Sequence, residues 1–77
     1  MKYRHGWDFP ALVTFYDLRM SDAAAVDRAV IRFAETGEGG LEREPPYYRL
    51  RTGTHDALLA IDHEARMVTV LRILRAR

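Results

Sequence analysis

The chain has 77 residues, 12 Lys/Arg against 11 Asp/Glu, no cysteine and a formal net charge of +1. That length allows one domain whose small core must stand on apolar burial, because disulfides and thiolate metal sites are excluded. No apolar run approaches the roughly 18 residues of a membrane span, and MKYRHGW has no signal-peptide apolar region, so a soluble, cytoplasmic protein is expected.

The net charge hides an asymmetry. Residues 1–42 hold five Lys/Arg against seven Asp/Glu (net −2), and residues 43–77 hold seven Arg against four Asp/Glu (net +3). A basic half permits a polyanion-binding surface. A GC-rich coding sequence would give the same arginine count with no such partner.

Lys2 to Trp7 reads as a short edge strand, with Gly6 as a bulge or bend. In "DFPALVTFYDLRM", Asp8 and Pro10 stand where a helix start puts a cap and a first-turn proline. Leu12, Phe15, Tyr16 and Arg19 share one helical face. Val13 to Tyr16 are strand-favouring types, so a strand is the alternative. Ser21 as cap and Asp22 in the first turn open a second helix over Asp22 to Thr36. Val26, Ala29, Val30 and Phe33 form its apolar stripe, and Gly37 suits a left-handed C-terminal cap. Its arginines read as a solvated face.

"GEGGLEREPPYY" reads as a linker. It lacks the Lys-Ser/Thr of a phosphate loop, and Pro45-Pro46 forces an extended backbone. Beyond it the period shifts from helical to extended. Strands are predicted over Tyr47 to Thr52, His55 to Ile61 and Met67 to Leu74, joined by Gly53-Thr54 and by "DHEAR". Alternation sends Tyr47 and Tyr48 to opposite faces, so one is free to stack a base and the other joins the core. In the last strand Val68, Val70, Arg72 and Leu74 alternate with Met67, Thr69, Leu71 and Ile73. Large apolar groups on both faces mark a central strand, which requires the N-terminal strand to pair on its far side. The expected architecture is a single α+β domain over residues 1–77, two N-terminal helices packed on a small antiparallel sheet.

That order carries a resemblance. Two helices, then "YRLR", a Gly turn, a strand ending "ID", a loop "HEAR" and a strand "VTVLRI" resemble the RelE/ParE superfamily of bacterial toxins over roughly Tyr48 to Ile73. The resemblance implies a toxin neutralised by a cognate antitoxin, acting on ribosome-bound mRNA (RelE type) or on DNA gyrase without nuclease activity (ParE type), and no cofactor. A degenerate relative acting as a protein- or RNA-binding module is a third reading.

Message cleavage requires an activated 2′-hydroxyl, a stabilised phosphorane and a protonated leaving group. Carried over position by position, the family's arginine after the Gly turn falls on Asp56, the aromatic before it on His55, and a further tyrosine on Leu59. The glycine after the last strand falls on Leu74, the following His-Arg pair on Arg75 and Ala76, and the C-terminal tyrosine of many members has no counterpart before Arg77. Asp56 is therefore expected to repel a phosphate. His55 is the catalytic candidate, opposed by the reading of a core or half-exposed histidine. Arg49, Arg51, Arg72, Arg75 and Arg77 are the phosphate-binding candidates. No two of the three histidines have metal-ligand spacing, so no metal is expected.

Overall fold

A computed structural model describes all 77 residues. In chain order the elements are β1 (Arg4–Trp7), α1 (Phe9–Asp17), α2 (Met20–Thr36), β2 (Gly40–Glu44), β3 (Tyr47–Arg51), β4 (His55–Asp62) and β5 (Met67–Arg75). They build one five-stranded sheet in the order β1-β5-β4-β3-β2. Strands β2 to β5 pair antiparallel, as the turn signals require. β1 lies parallel to β5, with Arg4 opposite Met67 and Trp7 opposite Val70, so the sheet is mixed rather than wholly antiparallel. β5 is thereby flanked on both sides, the arrangement its doubly apolar pattern called for. Gly6 forms no bulge: it pairs in regular register with Thr69, and a Cβ there would meet Met67 Cε at 2.8 Å.

The two helices cover one face of the sheet. α1 packs on β5 and α2 on β1 and β4. Ala11, Val26, Val30, Phe33 and Ala34 meet Leu50, Ala57, Leu59, Val68, Val70 and Ile73 in a single core. Gly37 takes the left-handed cap of α2 at φ 79°, with its N–H donating to the Phe33 carbonyl at 2.8 Å. The N–H groups of Lys2 and Tyr3 donate to the carbonyls of Glu35 and Ala34, satisfying groups that a helix end leaves without partners.

Four further expectations are corrected. α2 begins at Met20 with Arg19 at the cap position, so Ser21 lies inside the helix and caps nothing. The inward face of α1 is Ala11, Phe15 and Leu18, whereas Tyr16 is 79% exposed. Phe15 instead packs on Trp7 at 5.0 Å between ring centroids. Part of the expected linker is a strand: β2 forms a hairpin with β3 through Pro45-Pro46, with Glu44 opposite Tyr47. Its sequence, GLERE, has one large apolar residue, the polar make-up of an edge strand, and so carries no strand period.

The last correction decides the site. Leu58 pairs with Arg72 and Leu59 with Val70, which leaves Leu71 as an extra residue in β5. This β-bulge reverses the alternation beyond it. Ile73 joins Val68 and Val70 in the core, while Arg72 and Leu74 turn to the opposite, helix-free face.

Candidate functional site

The helix-free face is built by alternation on four strands. Register places Glu42 opposite Arg49, Arg49 opposite Leu58, Arg51 opposite Asp56, Leu58 opposite Arg72, and Asp56 opposite Leu74. All therefore point away from the core residues Leu50, Ala57 and Leu59 that lie between them. Sequence alternation put Arg49 and Arg51 together on a face, and they share this one.

They differ in burial. Arg49 is only 6% exposed and Asp56 only 1%. Arg49 Nε donates to Asp56 Oδ2 at 2.7 Å, and Nη2 donates to the Arg75 carbonyl at 3.1 Å. Arg49 Nη1 lies 3.6 Å from Glu44 Oε2, and the other Glu44 oxygen holds Arg77. Asp56 Oδ1 has no hydrogen-bond partner. The carboxylate expected to face a phosphate is thus the anchor of a buried ion pair, and Arg49 is withdrawn as a phosphate ligand because it is buried and its charge is already paired.

Nearby, Arg51 is held by Glu42, with Arg51 Nε at 3.1 Å from Oε1. The hydrogen bond that Glu42 accepts, and then its charge, push the Arg51 guanidinium further above its ordinary pKa. Asp56, Glu44 and Glu42 therefore compensate Arg49, Arg77 and Arg51 in this corner. Here the +3 balance of residues 43–77 does not become a basic surface.

His55 stands apart from this face. It is half-buried, opposite Arg75 in the ladder and on the helix side of the sheet. Its Nδ1 lies 2.9 Å from Thr54 Oγ1, whose single proton goes to Asp22 Oδ1 at 2.9 Å, so His55 Nδ1 carries the hydrogen and donates. A histidine tied to the start of α2 in this way has a structural explanation. Arg75 likewise lies on the His55 side, with no ion pair.

Arg72 differs from Arg49, Arg51 and Arg77. It is exposed, its one side-chain bond runs to the neighbouring Leu71 carbonyl at 2.8 Å, and no carboxylate pairs with it. It lines a cleft of about 320 Å³ with Asp8, Tyr47, Leu58 and Leu71. Tyr47 is 40% exposed there, while Tyr48 packs against the core, the split that alternation requires. The bulge at Leu71 is what turns Arg72 into this cleft. Asp8 was not legible as a cleft residue, because its position before α1 reads as a cap. In the fold its side chain caps nothing, and its N–H bonds the Val70 carbonyl at 2.9 Å, which holds it beside the bulge. A phenol, a carboxylate and an unpaired guanidinium around an apolar floor can stack a base and hold a phosphate. From cleft to His55 is far: Tyr47 to Arg51 alone spans roughly 13 Å of strand, and His55 lies past that end on the other face.

No protein-family model and no curated protein matches the sequence. The fold does have close counterparts among solved structures. A RelBE toxin–antitoxin complex from Mycobacterium tuberculosis superposes with a TM-score of 0.81 at 22% identity, over 99% of this chain and 100% of that one. An archaeal RelE–RelB complex from Pyrococcus horikoshii gives 0.79 at 11% identity, over 97% and 96%. The intact RelBE complex from Escherichia coli gives 0.76 at 19% identity, over 97% and 98%. At these identities the likeness establishes the fold: this chain has the RelE toxin fold over essentially its whole length.

Proposed function

We propose that this chain, folded as RelE toxins are, is the toxin of a toxin–antitoxin pair and acts on ribosome-bound message through the helix-free face of its sheet. The antitoxin is a proposal carried over from the complexes in which the similar chains were solved. The RelE likeness favours the ribosome over gyrase, and the cytoplasm as the place of action.

The observation that carries the reading is the convergence of Tyr47, Asp8 and the unpaired Arg72 on one cleft. Cleavage there would proceed by attack of the message's own 2′-hydroxyl. Asp8, the sole carboxylate of the cleft, takes the 2′ proton; the 2′ oxygen bonds to phosphorus; the bond to the 5′ oxygen breaks; and that oxygen takes a proton from Tyr47 or water. Arg72 holds the phosphorane charge. With a single free cation in place, the reaction is slow for its class.

Induced expression, with primer-extension mapping of cellular messages and a supercoiling readout from the same cultures, tests the proposal. Growth arrest with new 5′ ends on translated messages and normal supercoiling is expected. Arrest with intact messages and relaxed plasmid would overturn it.

A further inference from the structure

Arg4 and Arg66 meet at the end of β5 that lies away from the cleft. The Arg4 N–H donates to the Arg66 carbonyl at 3.0 Å, which ties the start of β1 to the turn before β5. Both arginines are exposed and neither pairs with a carboxylate. The acids of the same turn do not reach them: Asp62 Oδ1 accepts the Ala65 N–H at 3.0 Å, and neither Asp62 nor Glu64 joins an ion pair. His5 and Trp7 stand opposite the core residues Val68 and Val70, so alternation turns Arg4 and Gly6 to the helix-free face, which the cleft shares. Arg66 has left-handed backbone at φ 52°, a conformation that glycine adopts without strain. The turn gains nothing from an arginine there, so the side chain has another use.

We propose that Arg4 and Arg66 hold phosphates of the message strand beyond the cleft, a second contact on the same RNA. The inference rests on the reading that message is handled at the Tyr47–Arg72 cleft. From Met67, opposite Arg4, to Arg72 the strand β5 runs roughly 16 Å, about two to three nucleotides of extended RNA. The surface between the two ends is unobstructed: Gly6, Thr69 and Ala60 lie side by side across β1, β5 and β4, and none carries a charge. Arg72 by itself fixes one phosphate and leaves the strand free to swing about it. Two cations at the far end of β5 fix the direction in which the strand runs, since phosphate contacts set register and orientation. Other exposed cations do not lie along this path. Arg28 is on α2, and Arg43, opposite Tyr48, and Arg75, opposite His55, lie on the helix side.

Salt titrations of a single-stranded RNA of about ten nucleotides, followed by fluorescence anisotropy, test the inference, with urea unfolding of each variant beside them. Arg66→Gly and Arg4→Ala are each expected to flatten the slope of log affinity against log salt by about one unit, and Arg66→Lys to keep it. Arg66→Gly also relieves the left-handed backbone, so its urea midpoint stays level or rises while RNA binding weakens. A purely structural role for Arg66 does not produce that opposition. Arg72→Ala in the same titrations separates the two readings. A slope flattened by Arg72→Ala but unchanged by Arg66→Gly and Arg4→Ala would overturn the inference and leave the cleft standing. The reverse pattern would overturn the cleft and leave the corner as the phosphate contact. An unchanged slope with weaker binding to purified ribosomes would give the corner to ribosomal RNA, which also overturns the inference.

Discussion

Asp56→Ala removes the carboxylate from a pair in which both members are almost wholly buried, 2.7 Å apart. Breaking such a pair from one side typically costs about 3–5 kcal/mol, because the remaining charge stays buried and unpaired. Two contacts soften that here: Glu44 Oε2 remains 3.6 Å from Arg49 Nη1, and the Arg75 carbonyl still accepts from Nη2. The worked estimate is therefore about 2–4 kcal/mol, against about 4–11 kcal/mol for the whole stability of a domain this size. In urea, with a slope near 1 kcal/mol/M, the midpoint falls by roughly 2–4 M. Replacing both partners by apolar residues, Arg49→Met with Asp56→Leu, recovers most of the loss, since desolvation offsets much of what a buried pair contributes. Asp56→Arg sets two guanidiniums against each other and unfolds the chain, the reverse of the gain in activity expected if Asp56 faced substrate. An Asp56→Ala midpoint within about 0.3 M of the parent, or a folded and more active Asp56→Arg, would mean that the Arg49–Asp56 pair does not hold the sheet together.

Other outcomes follow from neighbouring residues. Leu59→Ala, at a position with no solvent exposure in the middle of the core, costs about 2–5 kcal/mol in the same urea titration. RNA binding by the chain weakens with salt, and Arg72→Ala flattens the slope of log affinity against log salt by about one unit while Arg77→Ala, already held by Glu44, changes it less. Glu42→Gln releases Arg51 from its carboxylate and tightens RNA binding at low salt, a gain of about one unit in that slope.

The parts of the fold that carry a strong period were legible in the sequence. The stripe Val26, Val30, Phe33 with Gly37 behind it defined α2, and the turn residues around Gly53 and after Ile61 bounded the antiparallel strands. β2 was hidden because an edge strand of glycine and glutamate shows no apolar alternation. The inward side of α1 was misread because apolar residues surround that helix, so spacing alone does not say which of Tyr16 or Ala11 faces the sheet. The site depended on two facts that no local pattern holds. The bulge at Leu71 exchanges the faces of Ile73 and Arg72, and the pairing of Arg49 with Asp56 joins residues on adjacent strands. Strand alternation did place Arg49 and Arg51 on the shared face and did split Tyr47 from Tyr48. What it lacked was the acidic partners on β2, a strand it had not seen.

The claim that matters most is that message is handled at the Tyr47–Arg72 cleft and not at His55. Single-turnover cleavage of message on purified ribosomes, measured side by side for the parent, Arg72→Ala and His55→Ala, tests it directly. Arg72→Ala is expected to slow cleavage by roughly 10²–10³, the loss expected for one preorganised charge at a phosphorane, while His55→Ala stays within about threefold of the parent. Cleavage lost with His55→Ala and retained with Arg72→Ala would contradict it.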